Sequence, residues 1–196
     1  MYLNSAIVIT GGIATGKSEA VKYLSQQGFA VIDADLIAHA VFAESSREIE
    51  AVFGTTDRAV IARAVFSDPA KMAKLERITH PAIQDRIFAQ STELEKTQKT
   101  YFVDIPLFFE KRNDFPFFDK ERNRSLLIYA PRETQIERLT RDRAMSENDA
   151  LSRLAAQIAI DKKRKMAKWT IENIAGKSEL YSQLDKFIAE NTARII

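Results

Sequence analysis

One stretch carries residue types at a spacing suited to holding a chain of phosphates. Gly11-Gly12-Ile13-Ala14-Thr15-Gly16-Lys17-Ser18 satisfies the pattern G-x-x-x-x-G-K-[ST]. Gly11 and Gly16 let the backbone bend tightly and approach an anion with no Cβ in the way. The amides of residues 14–18 are then expected to turn inward, with the positive end of the following helix facing the phosphates. Lys17 would reach the β- and γ-phosphates. The Ser18 hydroxyl would ligate Mg²⁺, a hard cation that prefers oxygen. The stretch expected to line the nucleoside triphosphate is Gly12, Ile13, Ala14, Thr15, Gly16, Lys17, Ser18 and Glu19.

Other groups suited to chemistry are scattered along the chain. Asp35 stands just past a second apolar run, where it could take the proton from an acceptor hydroxyl. Asp33, two residues earlier, competes with it for the simpler task of capping the next helix. Asp104 follows a third apolar run. Arg138, Arg141 and Arg143 sit near the end of a helical stretch, where guanidinium groups would spread charge over a transferring phosphoryl. The two histidines, His39 and His80, have no metal-ligand spacing. His39 reads as structural, and His80 as a residue that faces either the acceptor or the core.

These groups need a scaffold that gathers them. Ala6-Ile7-Val8-Ile9 predicts a buried strand over residues 5–10, followed by a helix over 17–27 that stops at Gly28. Phe29-Ala30-Val31-Ile32 predicts a second, parallel strand ending at Asp33-Ala34-Asp35. Residues 36–95 read as several helices. Asp68-Pro69 starts one of them, Gly54-Thr55-Thr56 forms a loop, and His80-Pro81 interrupts and restarts the last. Sixty residues of helix exceed what a crossover needs, so they read as an inserted subdomain. Further strands are expected at 101–105, 125–129 and 169–171. Short helices should begin at Leu107 and Pro131. A capped helix should open at Ser146 and carry Leu151, Leu154, Ala155 and Ile158 as a stripe. An amphipathic helix through Leu180, Leu184, Phe187 and Ile188 closes the chain. Strands alternating with helices imply a parallel sheet covered on both faces. Its ligands sit at the strands' C-terminal ends, where the glycine-rich loop, Asp35 and Asp104 converge.

The composition narrows the function classes. The chain has 196 residues, 29 basic and 27 acidic, for a net charge of +2, so no large field draws nucleic acid or an anionic membrane. It has no cysteine, which excludes disulfides, thiolate metal sites and cysteine nucleophiles. No apolar run approaches a membrane-spanning length and the N-terminus lacks a basic leader, so a cytoplasmic protein is expected. Three phosphate-loop classes compete. A GTP switch calls for N-K-x-D, which is absent. A motor calls for a longer apolar strand ending in two acids. A kinase calls for an acceptor pocket, a base and covering arginines, and each of these has a candidate.

The joint pattern resembles the dephospho-coenzyme A kinase family. It comprises Ile9-Thr10-Gly11-Gly12-Ile13, Val31-Ile32-Asp33-Ala34-Asp35, Ile78-Thr79-His80-Pro81 and Ile105-Pro106-Leu107-Phe108-Phe109-Glu110. Arg138-Leu139, Arg153 with Gln157, Lys163-Arg164, and Ile171 with Asn173 follow in order. The resemblance implies transfer of the ATP γ-phosphate to the ribose 3′-hydroxyl of dephospho-coenzyme A. It implies a P-loop kinase three-layer α/β sandwich with a five-stranded parallel sheet. The core would take residues 1–35, 96–137 and 161–196, a helical acceptor-binding insertion 36–95, and a lid 138–160. By the same resemblance Lys17 and Asp35 are catalytic with Arg141 or Arg143 of the lid, and Asp35, His80, Pro106 and Leu107 meet the acceptor. The resemblance implies a small-molecule substrate, dephospho-coenzyme A; the sequence itself leaves the oligomeric state open, with a monomer expected. Two departures stand out: Ala14 replaces a usual glycine, and Glu19 replaces a usual threonine, adding negative charge near the α-phosphate. Two alternatives remain open: a P-loop kinase for another nucleoside, nucleotide or small alcohol, and a switch that binds ATP without transferring phosphate.

Overall fold

The computed structural model describes residues 3–66, 68–118 and 123–192. Five strands form one sheet: β1 (Ala6–Gly11), β2 (Val31–Asp33), β3 (Tyr101–Asp104), β4 (Ser125–Tyr129) and β5 (Trp169–Glu172). Their order across the sheet is β2-β3-β1-β4-β5, and β1 runs parallel to both β3 and β4, as β4 does to β5. All residues of β1, β3 and β4 are buried, which is why these strands read as continuous apolar runs rather than alternating ones. The chain leaves β1 toward β2 on one side and β3 toward β4 on the other. The topological switch therefore lies between β1 and β3, where Ile9 pairs with Asp104.

Helices α1 (Lys17–Gln26) and α9 (Lys177–Asn191) lay apolar stripes on the sheet: Ala20 and Leu24 from one, Leu180, Leu184 and Phe187 from the other. They join Ile7, Ile9, Phe102, Leu126 and Ile128 in the main core. The chain between β2 and β3 forms α2 (Ala34–Glu44), α3 (Ser46–Phe53), α4 (Arg58–Phe66) and α5 (Pro69–Glu95). After β4 come α6 (Arg132–Arg143), α7 (Glu147–Ala155) and α8 (Ile160–Met166).

The fold divides into two compact units, Met1–Ile32 with Ser91–Ile196, and Asp33–Gln90. The second has its own small core: Ile49, Ile61 and Val65, with Phe42, Phe53, Leu75 and Ile78 packed against them. Within it Arg58 lies over the Phe42 ring, 5.0 Å from its centroid, and Arg86 pairs with Glu44.

Three expectations about elements are corrected. His80-Pro81 does not interrupt the helix, because α5 runs unbroken with Pro81 inside it. Proline forfeits one backbone bond and crowds the preceding turn. Here its ring is exposed, where water can satisfy the freed carbonyl, and buried Thr79 and Ile87 anchor the helix on either side. No helix starts at Leu107. The segment is a series of turns ending in a 3₁₀ turn at Arg112–Asp114. Adjacent Phe108 and Phe109 are both buried, with Phe115 and Phe118 close by, a spacing that a single helical face does not supply. Finally, α7 stops at Ala155, so Ile158 lies beyond it and the expected stripe is not one helical face. Leu154, Ala155 and Ile158 instead line a cavity of about 380 Å³ shared with Gly12, Gln135 and Gln157.

Candidate active site

The glycine-rich loop leaves the C-terminal end of β1 and feeds α1 directly. The carbonyls of residues 11–16 all have donors. Lys163 Nζ donates to Gly11 O at 3.1 Å, and the Thr15 hydroxyl donates to Gly12 O at 2.9 Å. Gln135 Nε2 donates to Ile13 O at 2.6 Å, Arg138 Nη1 to Ala14 O at 3.3 Å, and Asn173 Nδ2 to Thr15 O at 2.8 Å. Gly16 O receives the first amides of α1, from Glu19 and Ala20. By contrast, among the described residues nothing accepts from the amides of Ala14, Gly16, Lys17 or Ser18. A turn with its acceptors spent and four of its donors unspent, at a helix N-terminus, is a site for an anion.

Two glycines serve a purpose the motif does not announce. A Cβ on Gly12 would stand 2.6 Å from Gln135 Nε2, and one on Gly16 would stand 2.0 Å from Asn173 Nδ2. The absent side chains make room for protein donors as well as for a ligand. Gly16 also sits at φ 88, in the left-handed region. Ala14 adopts φ 59, which a Cβ tolerates at a cost; this is the place where the resembled family has glycine.

Lys17 turns its ammonium onto Asp104, with Nζ 2.5 and 2.6 Å from the two carboxylate oxygens. Both side chains are largely buried, and they meet at the switch between β1 and β3. Thr10, the neighbour of Gly11, donates to Pro106 O at 3.1 Å, tying the turn after β3 to β1. Leu107 on that turn is 39% exposed.

Behind the loop lies a second layer of charge. Lys163 is fully buried, and its other partner is Glu110, at 2.7 Å. Glu110 accepts the Ile158 amide at 3.0 Å, and Gln157 Oε1 accepts the Ile13 amide at 3.0 Å. The segment between α7 and α8 is thereby tied to the loop by Gln157, and by Ile158 to Glu110 on the turns after β3.

Glu19 does not direct its charge at the loop. It accepts from the Tyr181 hydroxyl and pairs with Lys177 at 3.0 Å, both on α9. Those two partners, Tyr181 first, hold its carboxyl below the usual range. Tyr181 stacks on Tyr23 with ring centroids 4.2 Å apart, and Tyr23 donates to Asp185 at 2.6 Å, which pushes the Tyr23 hydroxyl up to about 12.

The remaining expected residues are placed as follows. In the helical unit, Asp33 caps α2 by accepting the Leu36 amide at 2.9 Å, leaving Asp35 exposed in the first turn. His80 is half-buried on α5, with Nε2 3.9 Å from Glu76. His39 is exposed. Arg138 braces the loop, since besides Ala14 O it donates to Asn173 O at 2.8 Å. Arg141 is exposed and held by Glu137 at 2.6 Å and Asp142 at 2.8 Å. Arg143 is exposed at the end of α6. Ser18 is exposed in the first turn of α1, and its hydroxyl and the Asp104 carboxylate are hard oxygen donors of the kind Mg²⁺ prefers. The described residues contain no cluster of three or more His, Asp or Glu side chains able to hold a metal unaided.

Gln135 is the site residue that sequence reasoning missed altogether. A buried glutamine inside a helix carries no motif, and nothing short of the packing of α6 on the loop reveals it.

The dephospho-CoA kinase family model matches residues 5–179. The chain is 39% identical over 193 residues to dephospho-CoA kinase of Wolinella succinogenes, covering 95% of this chain and 94% of that one. It is similar in structure to dephospho-CoA kinase from Campylobacter jejuni, with a TM-score of 0.73 at 31% identity over 95% of this chain and 96% of that one. A shikimate kinase from Acinetobacter baumannii shares the fold alone, with a TM-score of 0.53 at 18% identity, over 97% of this chain and 96% of that one.

Proposed function

The chain belongs to the dephospho-CoA kinase family, and from that premise we propose how its residues divide the transfer of the ATP γ-phosphate to the ribose 3′-hydroxyl of dephospho-CoA. The observation that carries the proposal is the loop with every carbonyl from 11 to 16 engaged and four amides unspent. In phosphoryl transfer, catalysis is mostly positioning and stabilisation of charge. The loop amides and the N-terminus of α1 would grip the β- and γ-phosphates. Lys17 would leave Asp104 for the phosphates, exchanging one anionic partner for another.

Asp35 would accept the proton of the attacking hydroxyl. Its support is that Asp33 already takes the capping role, so the Asp35 carboxylate is not committed to the helix N-terminus. His80, Pro106 and Leu107 would contact the acceptor, in a helical insertion near 36–95 and on the turn after β3. Of the lid arginines, in a lid near 138–160, Arg143 would meet the transferred group more readily than Arg141, which two carboxylates already hold. Ser18 and Asp104 would hold Mg²⁺, which when bound neutralises charge developing between the β- and γ-phosphates. No helix among the described residues is long and apolar enough to cross a membrane. We place the reaction in the cytoplasm, catalysed by a monomer acting on a small molecule.

A coupled assay of ADP release with dephospho-CoA and Mg²⁺-ATP tests this. The expected result is release far above the ATP-only rate. A folded protein that binds ATP but releases no more ADP with dephospho-CoA than without would overturn the acceptor assignment, and a panel of other alcohols and nucleosides would then find the true one.

A further inference from the structure

A trans peptide is planar, so the carbonyl of one residue and the amide of the next point in opposite directions. Whatever holds Ile13 O on one side aims the Ala14 N–H to the other, and whatever holds Thr15 O aims the Gly16 N–H. The same relation links Gly11 O to the Gly12 N–H. The holders are Gln135, Asn173 and Lys163. They come from α6, from the residue after β5, and from α8. They are 2%, 7% and 0% exposed, so each presents little surface to a ligand in the cradle.

We propose that Gln135, Asn173 and Lys163 are positioning residues of the kinase reaction, which set the direction of the loop amides by holding the preceding carbonyls from behind. This rests on the nucleotide-site assignment of the loop. Preorganised donors stabilise an anion because no reorientation is needed when it arrives. A loop released from these holders could rotate its peptides and present carbonyls to the phosphates, which repel them. Gly12 and Gly16 belong to the same device, since a Cβ at either would displace the holder's nitrogen.

The test uses Gln135→Met, which keeps the volume and removes the donor, and Gly12→Ala, whose Cβ would push Gln135 Nε2 away. ADP affinity is measured by calorimetry on each and on the double variant, alongside thermal unfolding and the KM for dephospho-CoA. Loss of a hydrogen bond that aims a charged-ligand contact predicts about ten- to hundredfold weaker ADP binding for each single variant. Because both act on one bond, the double variant should be no weaker than the weaker single one. The KM for dephospho-CoA should hold, which a general loosening of the fold would not allow. Should Gln135→Met fail to fold, Gly12→Ala is read alone, with ADP affinity still the quantity measured. ADP binding at the unmodified level in folded variants would overturn the proposal, and so would losses that simply add. If the unmodified chain itself binds no ADP, the nucleotide-site assignment fails instead, and the proposal with it.

Discussion

On the proposed reading, the pair of Lys17 and Asp104 is the one that an incoming nucleotide would have to open first. Asp104 occupies the ammonium through both of its oxygens. Phosphate would have to compete for it, an exchange that would match one anion with another rather than strip a buried cation bare. Lys17→Ala is expected to lower kcat by at least about 10²-fold, as removal of a preorganised charge partner does; steady-state ADP release reports it. Asp35→Asn should lose about 10²- to 10⁴-fold in turnover while ATP still binds, the range of a general base. Normal turnover by that variant would remove Asp35 from the mechanism.

Glu19 shows how one side chain can be drawn out of a site. Its carboxyl is held low by Tyr181 and Lys177, so it favours the folded state in its ionised form. That contribution is present above the unfolded glutamate pKa of about 4.3 and is lost as pH falls through the lower folded value. Thermal unfolding of Glu19→Gln should therefore differ from the unmodified chain near neutral pH, and the difference should shrink as pH falls through the lowered folded pKa.

At the scale of elements, α5 and the loop before α1 carry the informative strain. Pro81 deprives a 27-residue helix of one backbone bond. Pro81→Ala should raise the stability of the helical unit by about 1–3 kcal/mol, the cost of an interior proline, as measured by denaturant unfolding. Ala14 pays a smaller penalty at φ 59, and Ala14→Gly should relieve about 1 kcal/mol of it. The tie of the segment between α7 and α8 to the loop through Gln157 means that movement of that segment is felt at Ile13.

For the whole molecule, the two units have separate cores. Ile61 is 1% exposed in the core of the helical one. Ile61→Ala should cost about 2–5 kcal/mol there. Turnover with dephospho-CoA is expected to fall, while ADP affinity, which the proposed site assigns to the sheet-based unit, should persist. Joint loss of both would show that the units do not fold separately.

Much of this was legible in the linear chain because local rules suffice for it. Apolar runs locate every strand, and β4 falls where Ser125-Leu126-Leu127-Ile128-Tyr129 predicts it. The glycine and lysine spacing locates the phosphate loop, and the Ser146 cap locates the start of α7. What only the tertiary structure decided was which polar groups meet across the sheet. Pro81 stays helical because packing outweighs its propensity. Leu107 starts no helix because neighbouring phenylalanines are buried on both sides of the turn. Glu19, Arg138 and Gln135 take their roles from partners 35 to 162 residues away. Hydrogen bonds of that reach depend on the closed fold, and no spacing along a chain encodes them.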